Sequence, residues 1–197
     1  MDTACQRCPA LCETRTQVVH GYGDVTADFL FVATAPTAAA DAAGVPLVDD
    51  PGGQRFQHLL GLLGLNNAHP ESTTPELDNA FLTHLTRCHH PDRDPTDDEI
   101  GACDPYLNAE IRKINPEILI PVGQRPLTEL ATEFTTKPAS SFEIEADHAT
   151  SIRGRGFELV PMVDPARMTD AEFDAFLEHF EALMARDYRQ TKGRRKR

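Results

Sequence analysis

The sequence predicts an α/β chain: a three-layer α/β/α sandwich around a four-stranded parallel sheet. Three observations lead there. Four short apolar runs are spaced along the chain, amphipathic helical patterns lie between them, and 197 residues suit one well-buried domain. Strands alternating with helices favour a parallel sheet covered on both faces, and such strands read as continuous apolar runs.

In chain order, the strands are DFLFVAT (28–34), AFLTHLT (80–86), EILIPV (117–122) and FELVPMV (157–163), each rich in β-formers with turn residues nearby. The first helix is GQRFQHLLGLLGL (53–65), with Phe56, Leu59, Leu60 and Leu63 on one stripe. The second, 96–114, opens on a capping box made by Thr96 and Glu99, and Pro105 inside it predicts a break or kink. GQRPLTELATEF (123–134) is the third. The fourth, 169–188, is capped by Thr169 and Glu172 and buries Phe173, Phe176, Phe180, Leu183 and Met184. The polar stretch 66–79 reads as a surface loop. The domain is placed at 1–188, with a basic, disordered tail over 189–197 whose two readings are a solubilising end and a nucleic-acid arm.

Ligands of open α/β sheets sit outside the carboxyl ends of the strands, so the informative loops follow 34, 86, 122 and 163. Composition narrows the setting. The net charge is −12, with 15 Arg against 4 Lys and no Trp, a balance resembling salt-adapted proteins. No stretch reads as a signal peptide and no apolar run is long enough to span a membrane, which predicts a soluble, cytoplasmic protein. Thiols stay reduced in that compartment, so grouped cysteines point to metal ligation over disulfides.

Cys5 and Cys8 form a C-x-x-C pair, Cys12 follows, and Cys88 and Cys103 lie far along the chain. If the loop after the second strand returns to the N-terminus, four thiolates meet. They would suit zinc or a [4Fe–4S] cluster, and spacing alone does not choose.

The ordered segments CQRCPALCETRTQVVHGYG, FLFVATAPTAAADAAGVPLV, FLTHLTRCHHPDRDPTDDEIGACDPYL and INPEILIPVG resemble the iron–sulfur uracil-DNA glycosylases, family 4 above all, over nearly the whole chain. The resemblance implies a four-stranded parallel sheet between helices. It implies a [4Fe–4S] cluster on Cys5, Cys8, Cys88 and Cys103, leaving Cys12 spare, with zinc as the alternative. The cluster acts as a staple between the N-terminal segment and the middle of the chain. The loop it fixes, HHPDRDPTDDE, lies near DNA, with His90 and Arg93 able to touch phosphate.

A glycosylase flips a base out of the duplex, holds its polar edge and stabilises charge as the glycosidic bond breaks. The family's motifs fall on four places, and each is altered. The G-E-A-P-G motif is Ala33, Thr34, Ala35, Pro36 and Thr37, so the acidic residue is Thr34, and Asp41 is the nearby carboxylate able to orient water. Leu47 stands where a Phe stacks on uracil. His84 stands where an Asn reads the uracil edge, and a His cannot read two edge atoms as an amide can. Asp164 stands in place of a His before Pro165, with Arg167 close in sequence to neutralise it.

The resemblance therefore implies a base-excision repair glycosylase hydrolysing the N-glycosidic bond of uracil or another deaminated base. Its catalytic candidates are Asp41, His84 and Asp164, and its base-binding candidates are Thr34, Ala35, Pro36, Leu47, His84 and Arg167. Water is the nucleophile, because no Lys falls in the candidate site. The altered letters keep two other readings open: a DNA- or damaged-base-binding protein without catalysis, and a cluster protein with a structural or redox-responsive role. An acidic chain binds DNA through a local basic patch. Candidates are Arg87, Arg93, Arg125, Arg153, Arg155 and Arg167, with Arg153 and Arg155 in a segment resembling the family's R-G turn. The partner is DNA and the chain is expected to act as a monomer.

Overall fold

The computed structural model describes residues 2–188, and the basic 189–197 segment lies outside them. Four parallel strands form the centre in the order β3-β2-β4-β6: β2 (Phe29–Ala33), β3 (Ala80–His84), β4 (Ile118–Pro121) and β6 (Glu158–Leu159). These are the four apolar runs, shortened at their ends. The last run stays beside β4 after the strand proper, through Val160 N–H to Leu119 O and Met162 N–H to Pro121 O.

The sheet nevertheless has six strands. Two-residue edges, β1 (Tyr22–Gly23) against β3 and β5 (Ile152–Arg153) against β6, add antiparallel borders. Gly23 permits the first of them: its φ is 129°, and a Cβ there would lie 2.4 Å from the Ala80 carbonyl oxygen.

Every residue of β2 is buried, because both faces are covered. Phe29, Phe31 and Ala33 face the layer of α3 (Pro51–Leu62) and α7 (Asp170–Ala185), while Leu30 and Val32 face α4 (Asp97–Ile114). Phe176 and Phe180 of α7 stack with centroids 5.3 Å apart, and each contributes roughly 1.5–3 kcal/mol by burial. Phe173 and Met184, assigned to that buried face by periodicity, are only partly buried at its edge. α5 (Gln124–Phe134) contributes to both cores, with Leu127 on one and Leu130 on the other.

The capping boxes of Thr96 with Glu99 and of Thr169 with Glu172 are both formed. Of the break or kink expected at Pro105, the break is absent, since α4 runs through it as one helix. A proline cannot bond the carbonyl four residues back, here that of Gly101; both residues are exposed, so water can serve that oxygen. The short helices α1 (Pro9–Thr14), α2 (Ala38–Ala43) and α6 (Ile144–Asp147) were not anticipated. The 66–79 loop is pinned at one end by buried Asn66, which donates to Gln57 Oε1. No helix among the described residues is long and apolar enough to cross a membrane.

Candidate active site and cysteine centre

A cavity of about 970 Å³ opens at the carboxyl ends of the parallel strands. Its walls include the turn 33–38 after β2, Leu47 with the start of α3, His84 at the end of β3 with the 88–95 loop beyond it, the start of α5, and 163–167 beyond β6. Thr34, Ala35, Pro36, Leu47, His84, Asp164 and Arg167 all line it, so one cavity gathers seven of the residues singled out in the sequence.

Local chemistry fixes its walls. Thr37 caps α2, and its hydroxyl also donates to Asp50 Oδ2 at 2.7 Å. Asp50 caps α3 through Gly53 N–H at 2.7 Å, with Pro51 at the first helical position. Leu47 is held at a φ of 56°, and its carbonyl accepts from the buried Gln57 amide at 3.0 Å. The start of α3 approaches closely on two sides. A Cβ on Gly52 would meet Ala166 Cβ at 2.9 Å, and one on Gly53 would meet the Val48 backbone at 2.8 Å. Sequence reading missed Asp50, Gly52 and Gly53, although Asp-Pro-Gly-Gly before a helical stripe is a start signal.

His84 is 2% exposed. Burial first, and the charge of Arg87 second, hold its pKa down to about 3, so it is a neutral imidazole. Its Nδ1 has no hydrogen-bond partner among the described residues. Arg87 is itself buried, paired with Glu110 at 2.8 Å and in contact with His20 Nδ1 at 3.2 Å, while Thr83 donates to Glu110 at 2.7 Å. This network props the end of β3, and nothing in local sequence pattern marks it.

Asp164 is exposed at the lip. Its Oδ1 accepts from Ala166 N–H at 3.0 Å, and its carbonyl accepts from Arg167 and Met168 N–H. The ion pair expected between Asp164 and Arg167 is not formed. The Arg167 guanidinium has no hydrogen-bond or ion-pair partner among the described residues.

Three expectations need revision. Asp41 does not line the cavity. It is 3% exposed on α2, where its carboxylate accepts from Thr16 N–H at 2.6 Å and Gln17 N–H at 3.4 Å, docking the N-terminal segment. Arg93 lines the cavity, but its guanidinium is clamped on Glu99 by two bonds of 2.7 and 2.8 Å. That pairing pulls the Glu99 carboxyl down to about 2. Arg153 and Arg155 lie at the opposite end of the sheet. Arg153 pairs in register with Glu158 at the amino end of β6, and Arg155 donates to the carbonyl of Glu133.

At the flank of the cavity the chain's start meets its middle. Cys88 and Cys103 are buried, and Cys8, at the N-cap of α1, and Cys5, just before it, neighbour them. The Cys8 thiol is pushed up to about 11, by burial first and then by the neighbouring charges of Cys103, Glu99, Cys88 and Cys5. Burial likewise raises Cys88 and Cys103. The donor chemistry fits a tetrathiolate centre: Cys8, Cys88 and Cys103 resist ionisation alone, with Cys5 as their neighbour, and such thiols are the kind a metal deprotonates on binding.

A comparison with protein families matches residues 20–186 to the uracil DNA glycosylase superfamily. The chain belongs to this superfamily. It is similar to a type-4 uracil-DNA glycosylase of Saccharolobus solfataricus, 31% identical over 164 residues covering 82% of this chain and 71% of the relative. Another type-4 uracil-DNA glycosylase, from Sulfurisphaera tokodaii, is 36% identical over 122 residues, 61% of this chain and 50% of the relative. A type-5 uracil-DNA glycosylase of Thermus thermophilus is 30% identical over 154 residues, 67% and 69% of the two chains. The superfamily match begins at residue 20, so Cys5 and Cys8 stand outside it while Cys88 and Cys103 stand inside.

Proposed function

We propose that the chain is a base-excision repair glycosylase, hydrolysing the N-glycosidic bond of uracil or another deaminated base in DNA. The observation that carries this reading is the cavity at the strands' carboxyl ends, where residues 34–36, Leu47, His84 and 164–167 meet from four segments. The names of the relatives support the same activity.

In this reading the flipped base lies between Leu47 and the 34–36 turn. Neutral His84 faces its polar edge and donates to the oxygen on which negative charge grows. Asp164 supplies the carboxylate for the water or the cationic sugar, since Asp41 is committed elsewhere and both Asp50 oxygens are engaged, one by Gly53 N–H and the other by the Thr37 hydroxyl. Arg167 contacts phosphate at the lip, with Arg93 acting through its clamp on Glu99. Cys5, Cys8, Cys88 and Cys103 hold a [4Fe–4S] cluster, which supplies a structural cross-link. The protein acts as a single domain over residues 1–188, as a monomer in the cytoplasm, with a salt-adapted surface.

The test is release of free base from oligonucleotides carrying uracil, hypoxanthine or xanthine, at high salt, with protein purified without air. Release that His84→Ala and Asp164→Ala abolish is expected. Tight binding without release overturns catalysis and leaves the DNA-binding reading, which the altered motif letters favour. Iron and sulfide analysis decides between cluster and zinc.

A further inference from the structure

Arg15 belongs to no part of the catalytic cavity, yet its half-buried guanidinium makes two contacts at the cysteine centre. One nitrogen donates to the sulfur of Cys88 at 3.1 Å, and the other donates to the main-chain carbonyl of Cys5. These residues are far apart in sequence and approach the centre from its two sides. Cys12 Sγ also donates to the Cys5 carbonyl, at 3.5 Å, so this oxygen is a fixed point on the N-terminal side.

Thiolate ligands bring a concentration of negative charge into a partly buried place, on a chain of net charge −12. Such charge is costly unless it is paired and hydrogen-bonded. Charged N–H donors to ligand sulfurs also orient the ligand and set the electronic properties of the centre. Two other arginines are near but spend their charge differently. Arg7 donates to the Ala102 carbonyl and lies over the Tyr106 ring, and Arg87 is paired with Glu110.

We propose that Arg15 is the positioning residue of the cysteine centre, holding the Cys88 sulfur and the Cys5 main chain in place for ligation and offsetting the thiolate charge. The proposal rests on the reading that these cysteines hold an inorganic centre. It assigns the role to the bond on sulfur, and a second tether separates that role from simple anchoring. Thr14, the preceding residue, donates to the His89 carbonyl at 2.9 Å and touches no sulfur.

The experiment uses the whole chain purified without air: wild type, Arg15→Met, Arg15→Lys and Thr14→Val. Metal and sulfide per chain are measured, followed by metal retention against a graded chelator. Arg15→Met is expected to retain metal about 10–100-fold less well, Arg15→Lys to fall between, and Thr14→Val to stay near wild type. Retention in Arg15→Met equal to wild type overturns the proposal. So does a fall in Thr14→Val as large as that in Arg15→Met, because anchoring would then account for both. Zinc without sulfide in the wild type overturns the cluster reading, and the same competition still decides the role of Arg15. A wild type with no metal overturns both.

Discussion

Replacing Asp41 with Ala separates a structural carboxylate from a catalytic one. The Asp41 side chain accepts from the main-chain N–H groups of Thr16 and Gln17 and is almost fully buried. Hydrogen bonds to a charged group contribute about 1.5–3 kcal/mol, and their loss leaves donors to be solvated by what water can reach them. For a chain of this size about 1 kcal/mol moves the melting temperature by roughly 2–4 °C, so Asp41→Ala should lower it by roughly 3–12 °C. The assay pairs a thermal melt with single-turnover base release well below the melting range. The folded variant should release base at a rate close to wild type, whereas Asp164→Ala should melt normally and lose the chemistry. An unchanged melt with a hundredfold loss of rate in Asp41→Ala would put its carboxylate back in the reaction and refute the structural assignment.

Acid should act in two windows. His84 sits at about 3 in the fold against 6.5 unfolded, so the unfolded chain takes up the extra proton and stability drains as pH falls from about 6.5. Glu99 sits at about 2 against 4.5, so its contribution is lost only as pH falls below about 4.5 toward 2. Melts of His84→Asn between pH 6.5 and 4.5 should therefore be flatter than wild type; parallel curves count against a buried neutral imidazole. DNA affinity should depend weakly on salt. The cavity lip carries Asp50, Asp94, Glu145, Asp164 and Glu172 against Arg93, Arg125 and Arg167, and the first two arginines are already paired. One or two phosphates neutralised give a slope of log affinity on log salt of about −1 to −2, and Arg167→Gln should reduce its size by about 0.9. A slope near −5 would require a basic surface elsewhere. Gly53→Ala places a methyl 2.8 Å from the Val48 backbone and should cost about 1–3 kcal/mol in a denaturant titration, with unchanged stability refuting the close approach.

The central strands were legible because burial on both faces writes each one as an apolar run, and Phe29 to Ala33 shows it residue by residue. The long helices were legible through their caps. The edges were not, because β1 and β5 are two residues each and are fixed by the partner strand, Tyr22 by Leu82 and Ile152 by Leu159. Cavity residues could be placed because strand ends and motif order locate them. The state of each charge could not. Whether Arg93 reaches a phosphate or clamps Glu99, and whether Asp41 faces the cavity or the N-terminal segment, depends on tertiary neighbours that spacing does not encode.

Those neighbours join the two sites. Thr14 holds the His89 carbonyl, and the His89 ring contacts the Pro36 carbonyl at 2.9 Å, inside the first motif turn. Asp41, four residues beyond that turn, holds Thr16 and Gln17. Leu11 and Cys88 belong to the cysteine side, and both line the cavity. The N-terminal segment therefore laces the turn after β2 to the loop after β3, on either side of where a base would lie. A bond that fixes the cysteines also fixes these two walls relative to each other. On the proposed reading of the cysteines as ligands, it is the centre's cross-link that would brace these walls, with no chemistry of its own, and its loss would let them part where a displacement of about 1 Å can cost on the order of a hundredfold in rate.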